Sequence, residues 1–362
     1  MSVISRASIG KKGSAGRMSK KKRIIIHIGT HKTGSTTIQN GCCDNRERLR
    51  ANGWLFPVTG MYLFGQHNIA WEMASGHVQP WNWIGEWVRY RPEWGGMDRL
   101  LAEIETAGVE TVILSSEDFD GLQTERIQRL HERLAEFEID IVVYLREQAS
   151  LLQSAWTQFV RSGFVTMPFP AFVDDMLAAP AEQQRYFGAY DRFLQPWRAV
   201  FGAEHVQVHF LSRDLFNDNI FYDFLRTCRV ENVEGYQVPD DQNVSPGLKS
   251  LTLICLLNKS VDSMEKRSQV ARLVQEFANQ QGWNDAKLNL ISEEIYRKVH
   301  AHFVESNAWM ERHYPGWQAV VEKFQPKPLS HFDLSIMTSE EMLAVSQHVL
   351  ARLFNDNVTQ GW

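Results

Sequence analysis

The chain has 362 residues, 44% hydrophobic and 22% charged, with a formal charge of −5. That is the composition of an ordinary soluble globular protein with enough apolar residues for one large α/β domain or two small ones. No stretch approaches the roughly 20 apolar residues needed to span a bilayer, and four cysteines, two of them adjacent (Cys42, Cys43), form neither a disulfide framework nor a zinc spacing.

Residues 1–23 hold eight Lys or Arg and no acid, which leaves 30 basic against 43 acidic residues in the remainder. Segment 1–22 is expected to be a disordered basic tail, and Met18 offers an alternative start. The tail lacks the apolar segment and small-residue cleavage site of a secretory leader, so a cytoplasmic location is expected, with no nucleic-acid partner.

In chain order, IIIHIG (24–29), TVILSS (111–116), DIVVYL (140–145) and HVQVHF (205–210) read as strands. The first three are near-continuous apolar runs of the kind buried on both faces of a parallel sheet. Helical periodicity covers 34–52, 98–107, 124–138, 147–162 and 181–201. From about residue 240 only helices are expected, over 246–258, 264–280, 292–312 and 338–353. The expected class is therefore α/β, with a central parallel sheet and a helical C-terminal part.

HIGTHKTGSTT (27–37) forms the turn between the first strand and the first helix. A Gly-containing turn there points several backbone N–H groups at one spot, and the helix dipole adds partial positive charge, so phosphate is the expected guest. Gly29 and Gly34 have the spacing of the nucleotide-binding loop G-x-x-x-x-G-K-[ST], but Ser35 stands where that loop has lysine, and the lysine comes earlier, at Lys32. The displaced lysine, and the lack of a strand ending in Asp, argue against a Mg²⁺-dependent kinase or NTPase.

Farther along, VVYLREQASLLQSAW places Arg146 at a strand end and Ser154 eight residues later, about two helical turns on, where both could meet one anion. The plainer alternative is that Arg146 pairs with Glu147 and that Ser154 is an ordinary helix residue.

Together the two motifs resemble the sulfotransferases that use 3′-phosphoadenosine 5′-phosphosulfate. Their K-[ST]-G-[ST]-T loop matches Lys32-Thr33-Gly34-Ser35-Thr36-Thr37, and their Arg and Ser of the 3′-phosphate site match Arg146 and Ser154. The phrases VILSSEDF, YLREQ and QNVSPGLKSLTLICLLN look most like the bacterial branch, often associated with glycan modification. The resemblance covers roughly 24–260 and implies a P-loop-like three-layer sandwich. In that organisation 23–240 is the donor-binding core and 241–362 a helical part packed on it.

It implies that Lys32, Thr33, Gly34, Ser35, Thr36 and Thr37 hold the 5′-phosphosulfate, that Arg146 and Ser154 hold the 3′-phosphate, and that no metal is required. Lys32 is the expected catalytic cation, because negative charge grows on the bridging oxygen as the S–O bond breaks.

A general base for the acceptor hydroxyl has two candidates. Glu117 follows the strand 111–116, and His67 lies after the first helix. Glu117 could instead belong to an N-capping SSED cluster, and His67 could be a satisfied core histidine. His27 and His31 are weaker candidates, since His27 lies within the strand and His31 could simply shape the loop.

Five of the twelve tryptophans (Trp71, Trp81, Trp83, Trp87, Trp94) fall within 71–97. They suit either a sugar-stacking surface or a packed lid. The acidic body favours a neutral or weakly charged acceptor, a carbohydrate or glycolipid head group. A non-catalytic binding protein on the same fold is the remaining alternative, and the oligomeric state is open.

Overall fold

The three isoleucines Ile24, Ile25 and Ile26 are fully buried, and the strand they build is the middle of the sheet. In the computed structural model, which describes residues 21–75, 89–211, 219–239, 247–283, 288–323, 328–330 and 334–359, this is β1 (Arg23–His27). The others are β2 (Trp54–Leu55), β3 (Thr111–Ser115), β4 (Glu138–Leu145) and β5 (Val206–Phe210). Their order is β2-β3-β1-β4-β5, and every pairing is parallel.

Strand alternation sends Ile24 and Ile26 to one face and Ile25 to the other. On the Ile25 side, Ile38 and Cys42 of the helix Ser35–Asp44 pack with Phe221 and Phe224 of the helix Ile220–Cys228. On the other side, the helices His67–Ala74, Met97–Thr106, Thr124–Arg133 and Tyr190–Phe201 cover the sheet, joined by Met310 and Trp317 from the C-terminal part. The fold is thus an α/β sandwich with a central parallel sheet and helices on both faces.

A second apolar core lies off the sheet. The helices Gln148–Arg161 and Phe169–Ala178 share it with Leu248–Ser260, Met264–Gln280, Glu293–His302 and Val345 and Val349 of the last helix. Apolar contact therefore does not follow chain order, because the helix leaving β4 packs with the C-terminal helices. Beyond residue 246, every named element among the described residues is helical.

Several expected elements differ in extent. The helix expected over 34–52 breaks at Asn45, whose side-chain amide donates to the carbonyls of Gly41 and Gln237, both at 2.8 Å. The one expected over 181–201 divides into Ala181–Gln184 and Tyr190–Phe201, and 292–312 divides at Phe303. β2 is too short to leave a periodic signal, and the helices His67–Ala74, Phe169–Ala178 and Ile220–Cys228 are additions.

Of the basic tail, residues 1–20 lie outside the described residues, as do Trp81, Trp83 and Trp87. Lys22 immediately precedes the central strand β1, with its Nζ donating to the Ile104 carbonyl at 2.8 Å. Among the described residues no helix is long and apolar enough to cross a membrane.

Candidate functional site

The turn after β1 is braced from within. Thr33 Oγ1 and Ser35 Oγ donate to the Thr30 carbonyl, at 2.6 and 3.2 Å, while the Thr30 N–H donates to Tyr144 O at 3.2 Å. Gly34 has φ +88°, so the backbone angle favours glycine, and a Cβ there would also have to displace the terminal methyl of Ile220, 2.6 Å away. Gly29, at φ +91°, lies so close to Glu117 that an added Cβ would be 3.0 Å from its Cα and its Cβ.

Among the described residues, the N–H groups of Thr33, Gly34, Ser35 and Thr36 have no acceptor. The helix Ser35–Asp44 has no acidic residue in its first turn and no side-chain cap. Its dipole and free N–H groups therefore favour an anion at this end.

The turn opens on a cavity of about 910 Å³. Lys32, Gly34, Ser35, Thr36, Thr37, Glu117, Arg146 and Ser154 all line it. Thr33 and His67 do not, because Thr33 is fully buried under the turn and His67 is buried behind Glu117. Burial lowers the pKa of the Lys32 ammonium to about 8, helped by the positive charges of Arg161 and then Arg146 and opposed by Glu117.

Arg146 reaches across to this loop, its Nη1 donating to the Lys32 carbonyl at 3.4 Å. Its sequence neighbour Glu147 is engaged elsewhere. Glu147 caps the helix Gln148–Arg161 by accepting from the N–H groups of Ala149 (2.7 Å) and Ser150 (2.8 Å), and it meets His300 Nε2 at 2.8 Å. Burial works against the Glu147 charge, but the bonds from His300 and the helix N–H groups hold its pKa below the usual carboxylate range.

Two further sets of residues, not among those expected at the site, line the cavity. Gln158 and Arg161 continue the helical face begun by Ser154, at the i+4 and i+7 positions, a spacing that could have been read from the sequence. Arg272, Gln275 and Asn279 come from the helix Met264–Gln280, which no local pattern ties to the turn. Arg272 pairs with Glu276 at 3.0 Å.

Beside the turn lies a largely buried cluster of histidines and carboxylates, of which His31 and Glu117 line the cavity. Ser116 is the N-cap of the short 3₁₀ helix Glu117–Gly121, accepting from the Asp118 N–H at 3.1 Å, so the Glu117 side chain plays no part in capping. Glu117 Oε2 accepts from Gln39 Nε2 at 2.6 Å and stands 4.0 Å from His67 Nε2. His67 Nδ1 lies 2.9 Å from both Asp118 Oδ2 and Ser116 Oγ, and Trp71 Nε1 donates to the same Asp118 oxygen at 2.8 Å.

His31 Nδ1 meets Asp120 Oδ2 at 2.8 Å, and its Nε2 is 3.6 Å from Asp118 Oδ1. Burial opposes protonation of both histidines, but Asp118 and Asp120 outweigh it, lifting His31 well above its ordinary value and His67 less far. Burial likewise opposes the Asp118 charge, yet hydrogen bonds from the two histidines hold its pKa below the usual range. Asp120 is raised by burial despite His31.

His27 is apart from this cluster. It is fully buried in β1, its Nδ1 bonded to Ser115 Oγ at 2.8 Å, and burial lowers its pKa to about 4. Of the tryptophan-rich stretch, Trp71 is buried and Trp94 stacks on Tyr62 with centroids 5.1 Å apart, so both are packing residues.

No family model matches the chain. Over 207 residues it is 27% identical to an uncharacterized protein of Archaeoglobus fulgidus, covering 57% of this chain and 54% of that protein. The chain thus spans about half the length of the curated relative it matches. A sulfotransferase of known structure from Alicyclobacillus acidocaldarius superposes with a TM-score of 0.42 at 14% identity, over 85% of this chain and 98% of that one. This likeness is too loose to assign any residue a role.

Proposed function

We propose that this protein is a sulfotransferase that moves the sulfuryl group of 3′-phosphoadenosine 5′-phosphosulfate to an acceptor hydroxyl. One observation carries the reading. A loop of unpartnered N–H groups, a lysine beside two arginines, a strand-end arginine with its serine, and a carboxylate all line one cavity.

On this reading the N–H groups of residues 33–36, with the half-buried, cavity-lining Thr36 and Thr37, hold the 5′-phosphate. Ser35 and Thr33 act through the backbone they brace, since their hydroxyls are bonded to Thr30. Arg146 and Ser154 hold the 3′-phosphate. Lys32 stabilises charge on the bridging oxygen as the acceptor oxygen bonds to sulfur and the bond from sulfur to that bridging oxygen breaks, releasing the bisphosphate.

Glu117 takes the acceptor proton, because it lines the cavity and His67 does not. His67 then acts as a positioning group behind it, 4.0 Å from its carboxylate. The proposed acceptor is a carbohydrate or glycolipid hydroxyl, in keeping with the excess of acid outside the basic tail. Residues 23–240 would form the donor-binding core, with 241–362 supplying the helix that closes the cavity.

The test is calorimetric. 3′,5′-Adenosine bisphosphate should bind tighter than AMP or ATP without added Mg²⁺, and the protein should transfer labelled sulfate from the donor to an acceptor glycan panel. Mg²⁺-dependent ATP turnover with no preference for the bisphosphate would overturn the proposal.

A further inference from the structure

Arg161 ends the helix Gln148–Arg161 and lines the cavity on the same face as Ser154 and Gln158. Seven residues at about 1.5 Å each separate it from Ser154 along the axis, roughly two turns. It is solvent-accessible, yet enough protein surrounds its guanidinium to lower its pKa. Among the described residues no carboxylate pairs with it, in contrast to Arg272, which Glu276 neutralises at 3.0 Å.

The charge of Arg161 weighs on the Lys32 ammonium more heavily than that of Arg146 does. Glu117 offsets only part of the Lys32 charge, so two cations lining one cavity raise each other's energy, and an anion lying between them relieves both. We propose that Arg161 grips the sulfuryl group of the donor beside Lys32, a role separate from that of Arg146 on the 3′-phosphate. This rests on the sulfotransferase reading. The planar guanidinium fork suits the oxygens of a sulfuryl group, whereas the single Lys32 ammonium suits the bridging oxygen.

The assignment separates two ligands that differ only in the sulfuryl group. The phosphosulfate donor carries it, and 3′,5′-adenosine bisphosphate lacks it. Equilibrium binding of both, without acceptor, is measured on the wild type and on Arg161→Gln, whose thermal melt confirms folding at this exposed position. The expected result is a loss of roughly 10- to 100-fold in donor affinity, the scale of a lost charge-assisted hydrogen bond, with bisphosphate affinity within about twofold.

Arg161→Lys should recover part of the donor affinity. An equal loss for both ligands would place Arg161 on the nucleotide, and no loss for either would make it a surface residue. Either result overturns the inference while leaving the sulfotransferase reading intact. Wild-type protein that binds neither ligand would overturn that reading and the inference with it.

Discussion

Glu117 Oε2 accepts a hydrogen bond from Gln39 Nε2 at 2.6 Å and lies 4.0 Å from His67 Nε2, so one side chain from the helix behind the turn and one histidine from the covering helix aim the same carboxylate into the cavity. If Glu117 accepts the acceptor proton, Glu117→Gln should lower the single-turnover transfer rate by about 10²- to 10⁴-fold, the usual worth of a general base. Bisphosphate affinity should be unchanged, because the lost group acts on the acceptor. His67→Gln should cost less, as it removes only the group behind the carboxylate. A larger loss in His67→Gln than in Glu117→Gln would reverse the two roles.

Lys32 predicts opposite effects on stability and on binding. Burial and the neighbouring arginines disfavour its charged form, with a pKa of about 8 in place of 10.5. Since the folded value is lowered, the charged lysine costs stability at neutral pH, and that cost disappears as pH rises toward the unfolded value. Lys32→Met should therefore raise the melting temperature of the ligand-free protein at pH 7 while abolishing transfer. Bisphosphate affinity of the wild type should fall as pH rises through about 8, with proton uptake on binding visible as a buffer-dependent enthalpy. Lys32→Met should lose that pH dependence.

The two parts of the proposed donor site are separable by ligand. Arg146→Ala should weaken 3′,5′-adenosine bisphosphate by roughly 10- to 100-fold, as expected for a lost charged hydrogen bond, and leave AMP nearly unchanged. Ser154→Ala should show the same pattern at smaller size. Competition titrations with the two nucleotides measure both, and an equal loss for AMP would remove Arg146 from the 3′-phosphate.

The cluster of His31, His67, Asp118 and Asp120 sets an acid-to-neutral stability window. The histidine pKa values are raised, so their contribution is complete below about 6.5 and is lost as pH rises through the folded values. The Asp118 pKa is lowered, so its contribution is present above 3.8 and is lost as pH falls through the folded value. Stability should be greatest between these limits. Asp118→Asn removes the shared partner of both histidines and should cost about 3 kcal/mol or more in chemical denaturation, with a flatter decline from pH 6.5 to 9.

Much of the frame could be read along the chain. Near-continuous apolar runs marked β1, β3 and β4, because strands buried on both faces must be apolar throughout, while the half-buried edge strand β5 was marked by its β-branched residues. The turn could be read because Gly29 and Gly34 occupy backbone conformations that few other residues tolerate. β2 could not, since two residues carry no period, and Asn45 breaks a helix through a bond to Gln237, far away in sequence.

The chemistry divides along the same line. By itself the sequence determined a glycine turn between a buried strand and a helix, with Lys32 displaced from the triphosphatase position and an Arg146 and Ser154 pair at helical spacing, because these are local matters of backbone angle and residue order. Only the tertiary structure decided that they share a cavity, that Glu117 faces it while His67 stands behind, and that Arg161 and the helix Met264–Gln280 form its other wall. Those outcomes depend on which helices meet across the second core, where packing among residues 100 or more apart fixes which face of each helix turns inward.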